Sequence, residues 1–280
     1  MSDAEIEARN AVLEDSVPAI LDFVRRGGDE TFPFIFIDPT GWTGFSMNLI
    51  APLLNLDPGE VLINLMTKDV RRFVGSPEKQ TQESFERLFG RSGIRERVAS
   101  TQGLERDDVV VEEYCRSVRD TGRFPYVCTA IVLHPERDRT HFHLIYATRH
   151  RKGVEVFKSA EKKAMAVQEA ARAEADERRR RQSTGMASLF DSQSMHRQTP
   201  YEELREHYVQ KSRQSVRALL ESRRRAAYDE VWDVAMRQPM TWESDLKDWL
   251  KAWLDEGRIS FDGWKPRQRV PQSGTFITWS

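Results

Sequence analysis

Cysteine is scarce in this 280-residue chain: Cys115 and Cys128 are the only two and they form no CxxC pair, which argues against a disulfide framework and a cysteine-rich zinc site. Long apolar runs are missing as well. No stretch nears the ~18 apolar residues that a bilayer-spanning helix requires. The opening MSDAEIEARNAVLEDSV is acidic where a secretory signal is basic and then apolar. These absences predict a reduced, cytoplasmic compartment and no membrane partner. Histidine is sparse too. His134, His141 and His143 lie close together, yet no acidic residue is spaced to complete a metal site with them, so no metal is expected.

What is present is ordinary in amount and uneven in placement. A hydrophobic content of 39% beside 31% charged residues suits a globular chain with a sizeable core. Residues 1–148 hold 17 Lys and Arg against 24 Asp and Glu, residues 149–225 hold 19 against 11, and residues 226–280 hold 7 against 9. A basic segment therefore joins two acidic ones. Such a segment fits either a polyanion-binding surface or a solvated, arginine-rich helix.

The apolar spacing of residues 3–26 predicts a helix stopped by Gly27-Gly28. The runs 32–37 (FPFIFI) and 60–66 (EVLINLM) are apolar without alternation, the pattern of strands covered on both faces, as in a parallel sheet with helical crossovers. Helical segments follow, with Gly75 and Gly90 at their C-caps and a further helix over 105–120. Strands over 125–134 and 141–150 flank a short polar loop, so the sheet finishes antiparallel. Residues 156–182 read as a long polar helix by propensity, 182–200 as a loop, and 200–223 as another helix. Tyr228, Val231, Trp232, Ala235 and Met236 share one helical face. Thr241 is the expected cap of a helix whose Leu246, Trp249, Leu250, Trp253 and Leu254 form a stripe at helical spacing. Short strands at RISF and TFITW then enclose the basic stretch WKPRQR. Helices followed by a two-stranded wing predict a winged-helix module. The expected division is 1–155, an α/β domain; 156–223, a basic helical linker; and 224–280, the winged helix.

Strand 32–37 ends on Asp38-Pro39-Thr40-Gly41-Trp42, a carboxylate, a rigid proline, a glycine and an indole at the place where open α/β sheets present ligand sites. A simpler reading is that Asp-Pro turns are common exits from a sheet. Asn64, near the end of the next strand, is either a polar contact to the same pocket or a structural hydrogen-bonding group.

FIFIDPTGW, then EVLINLMTKDVRRFV, LIYATRHRKGVEVFK and WESDLKDWLKAWLDEGRISFDGWKPRQRVP together resemble the three-Cys-motif partner family of bacterial proteins, from about Thr31 to the end. The resemblance implies a class I S-adenosylmethionine-dependent methyltransferase domain, Rossmann-like, followed by a winged helix. It also implies a seven-stranded sheet whose fourth strand ends in an Asp-Pro motif beside the methyl donor and the target atom. Asp38 and Pro39 fall on that motif, Gly41 and Trp42 complete its loop, and Asn64 stands on the adjacent strand. Such domains hold the donor with a Gly-rich turn after their first strand, and this chain has none. The expectation is therefore a partial sheet, with S-adenosylmethionine implied by resemblance alone and the first three strands absent. A complementing N-terminal fragment or a dimer is the expected remedy. Lys265, Arg267 and Arg269 on the wing are the candidate nucleic-acid contacts, to DNA or RNA. Two functions follow as expectations: a methyltransferase-like protein acting on nucleic acid or a partner-bound substrate, or a non-catalytic adaptor that binds nucleic acid or a three-Cys-motif protein.

Overall fold

A computed structural model describes residues 5–39, 41, 45–134, 140–184, 200–263 and 270–280. Helix α1 (Leu13–Arg26) leads to strand β1 (Phe34–Ile37), then α2 (Met47–Leu54), β2 (Glu60–Leu65), α3 (Thr67–Phe73), α4 (Lys79–Phe89), α5 (Ile94–Ala99) and α6 (Gly103–Gly122). Strands β3 (Tyr126–Leu133) and β4 (Thr140–Thr148) complete a four-stranded sheet of order β1-β2-β4-β3. β1 runs parallel to β2, and β4 antiparallel to it. The class is α/β with a mixed sheet. Two compact units divide the chain within β3 and β4: residues Met1–Val127 with Phe142–His150, and Cys128–His141 with Arg151–Ser280.

In the first unit the core lies on one face of the sheet. Ile37, Val61, Ile63, Leu65, Ile145 and Ala147 point there and join Ile50 and Leu54 of α2, Phe85 and Phe89 of α4, and Val110, Tyr114 and Val118 of α6. Ser46 caps α2, its hydroxyl accepting from Leu49 N–H at 3.3 Å. Gly90 ends α4 in the left-handed region at φ 64°, which glycine reaches without a Cβ penalty. Gly75 plays no such part, because α3 closes on Val74 with ordinary helical angles. Helix α1 begins at Leu13, ten residues later than its apolar spacing predicts. Ile6 and Val12 are 87% and 61% exposed, and apolar side chains that meet no core do not hold a helix end in place.

The second unit holds α7 (Arg151–Thr184), α8 (Pro200–Arg223), β5 (Arg225–Ala227), α9 (Tyr228–Met236), α10 (Glu243–Asp255), β6 (Ile259–Asp262) and β7 (Phe276–Trp279). Its three short strands form an antiparallel sheet of order β5-β7-β6. The stripe on α10 is core: Leu246, Trp249, Leu250 and Trp253 are buried, and Trp253 meets Trp279 edge-on at 5.5 Å. Thr241 does not cap α10. It is fully buried with its hydroxyl on Pro239 C=O, while Asp245 accepts from Trp242 N–H at 2.9 Å. Burial withdrew the threonine, and a carboxylate one turn inside the helix took over its task.

A charged side chain lies at the centre of this unit. Lys158 of α7 is buried, and its Nζ donates to Thr129 C=O of β3 at 3.1 Å, Gln238 C=O at 2.6 Å and Glu161 Oε2 at 2.9 Å. The other Glu161 oxygen accepts from Met240 N–H at 2.7 Å. Three elements are thereby tied by one ammonium whose three donors are all used. Burial holds the Glu161 carboxyl above its ordinary 4.5, against the downward pull of Lys158. The folded chain therefore binds that proton more tightly than the unfolded chain does, and this contribution to stability falls as pH rises upward from about 4.5. Lys158→Met removes the opposing cation, so its cost is expected to reach about 3–5 kcal/mol at pH 8 and to shrink as pH falls and the buried carboxyl takes up its proton. Urea unfolding followed by tryptophan fluorescence checks this, since six of the seven tryptophans lie in 128–280.

Candidate functional site

Strands β1 and β2 pair with Ile37 beside Ile63, and the next residue on each, Asp38 and Asn64, falls at the carboxyl ends of two adjacent parallel strands. Asn64 Nδ2 donates to Asp38 Oδ1 at 2.7 Å. A carboxylate oxygen only accepts, so the amide nitrogen must face Asp38 and the amide oxygen must point away. That Asn64 Oδ1 is buried and has no hydrogen-bond partner among the described residues, on a residue only 6% exposed. Asp38 itself is exposed. Asn64 thus orients Asp38, whose second carboxylate oxygen is the acceptor the pair presents, and it suits a ligand group that donates a hydrogen bond, such as an amine.

Across β2, on the core face, lies a second polar pair. Thr67 opens α3 directly after the strand, and its Oγ1 lies 3.4 Å from His143 Nδ1. His143 sits opposite Leu65, and both polar residues are buried. Sequence reasoning weighed His143 only as a metal ligand and missed its pairing with Thr67. Two-residue alternation along β4, which turns His143 inward with Ile145, was the available signal. His134 and His141 stack edge-on with centroids 5.4 Å apart. No group of three or more metal-ligating side chains occurs among the described residues.

Of the other expected residues, Pro39 is half-buried, and Gly41 has no atom of the described residues within 4 Å of where a Cβ would stand. Trp42, Lys265, Arg267 and Arg269, and most of the expected loop 182–200, lie outside the described residues. Helix α10 carries Glu243, Asp245, Asp248 and Asp255 against Lys247 and Lys251, a poor charge balance for meeting phosphates. No helix among the described residues is long and apolar enough to cross a membrane.

No protein-family profile, curated protein or solved structure matches this chain.

A buried amide with an unused acceptor costs stability where an apolar residue of similar size would not. Asn64→Leu is therefore expected to leave the melting temperature unchanged or raise it by a few degrees. Gly41→Ala should lie within about 0.5 kcal/mol of the parent. Thermal denaturation of the two variants measures both, and a loss of more than about 2 kcal/mol in Asn64→Leu would make Asn64 a structural residue.

Proposed function

We propose that this chain is a methyltransferase-like protein of the three-Cys-motif partner type whose Asp38 and Asn64 hold a target amino group, on nucleic acid or on a partner-bound substrate, for transfer from S-adenosylmethionine. The observation that carries the reading is the exposed Asp38 carboxylate, hydrogen-bonded by Asn64, at the ends of two adjacent parallel strands. An Asp38 carboxylate held in place by Asn64 accepts a hydrogen of an amine and leaves its lone pair free for a methyl donor. Positioning of this kind supplies much of the rate in such transfers. A mixed sheet that finishes antiparallel agrees with the expected half of a Rossmann-like domain. The 280 residues contain no Gly-rich turn after a strand, so donor binding on this reading relies on elements beyond those described, from a complementing polypeptide or a dimer.

A second reading has an observation of its own. In the second unit α8, β5, α9, α10, β6 and β7 follow one another in the order a winged helix requires. The acidic α10 favours a protein partner over DNA or RNA for that module, a three-Cys-motif protein being the one the resemblance suggests. The chain is then an adaptor without catalysis.

Calorimetric titration of the chain with S-adenosylmethionine and a methyl-transfer assay of Asp38→Ala separate the two readings. The first expects transfer to fall about 100-fold in Asp38→Ala, in line with losing one positioning contact, with partner binding unchanged. Full activity in that variant removes Asp38 from the chemistry. A well-folded chain that neither binds the donor nor transfers methyl groups with any added partner leaves the adaptor reading.

A further inference from the structure

β1 is the terminal strand of its sheet, and the usual devices that protect such an edge are missing from it. In a parallel ladder, alternate residues direct their main-chain groups to opposite sides. Pro33 C=O accepts from Glu60 N–H at 3.0 Å, so with Phe34 beside Glu60 the odd-numbered residues face β2. The N–H and C=O groups of Phe34 and Phe36 face outward. These two residues are each 54% exposed, and Phe32 is 51% exposed. Pro33 lies at an inward position and blocks nothing. No charged residue occurs from Thr31 to Ile37, although natural edges are ordinarily guarded by lysine, proline or a bulge.

We propose that β1 pairs antiparallel with β1 of a second copy of this chain, about a two-fold axis at Ile35. In that register Phe34 of each copy lies opposite Phe36 of the other, and both pairs are of the hydrogen-bonded kind because both residues direct their main-chain groups outward. Their rings fall on the same face and meet as aromatic cross-strand pairs. Asp38 lies opposite Phe32 of the other copy, so like charges do not meet. The contact is isologous and closes as a dimer without propagating.

The area sets its strength. Each phenylalanine exposes roughly 100 Å² of the ~200 Å² such a residue can bury. Two copies therefore bring together about 600 Å² of phenylalanine surface, against ~1,200 Å² or more for a standard stable interface. The dimer is accordingly weak and depends on concentration. A complementing strand would join the same edge and would have to displace the second copy. The inference rests on the edge itself and stands whether or not the methyltransferase reading does.

Sedimentation equilibrium of the full chain from about 1 to 100 µM, a range suited to an interface of this size, is the test, with circular dichroism to check folding. The parent is expected to move from monomer to dimer across that range. Phe36→Pro removes one outward N–H that no internal bond uses, and Phe34→Lys introduces a charged guard. Each should raise the dissociation constant at least about 10-fold with the dichroism spectrum unchanged. A parent that stays monomeric throughout, or two folded variants that associate like the parent, overturns the proposal.

Discussion

The parallel register of β1 on β2 is the constraint on which the first unit turns. It sets Ile37 beside Ile63 on the core face, and because successive side chains alternate between faces, it brings Asp38 and Asn64 together on the other. A slip of one residue would carry Ile35 and Ile37 out of the core and separate the carboxylate from the amide. Core and candidate site are thus two faces of one pairing.

The second unit depends on a different kind of interaction. A core ion pair contributes stability only when its remaining hydrogen-bonding capacity is filled, and the Lys158 and Glu161 network fills it with main-chain groups of β3 and of the turn between α9 and α10. That turn is demanding, since Met240 is buried with a positive φ of 54°, a conformation uncommon outside glycine. The carboxylate that accepts from Met240 N–H helps hold it there. Ser212 of α8 adds a hydroxyl donated to Ala235 C=O at 3.0 Å, so polar bonds inside the unit fix how α7, α8 and α9 meet.

Much of this was legible in the residues. Unalternating runs of Ile, Leu, Val and Phe marked β1 and β2, and the tryptophan stripe at 246–254 marked the buried face of α10, because periodicity records which side meets the core. The Asp-Pro exit was visible for the same reason, as a turn at the end of a strand. β5 was not visible: Arg225, Ala226 and Ala227 carry no strand propensity, and they pair because Ala226 lies opposite the buried Ile277. Lys158 reads as one more cation in a basic helix, since nothing in its local spacing announces three carbonyl and carboxylate partners up to 80 residues away.

β1 makes the same division plain. Its four apolar residues specify by themselves a strand meant to be covered on both faces, and composition and pattern alone determined that much, together with the α/β class. Tertiary structure alone decided that β1 stands at the edge of the described sheet with Phe34 and Phe36 open, that Asn64 turns its amide nitrogen to Asp38 and leaves its oxygen unused, and that Thr67 meets His143. Strand propensity and burial preference are properties of a short stretch, whereas which strand becomes a neighbour, in which register, depends on residues far apart in the chain.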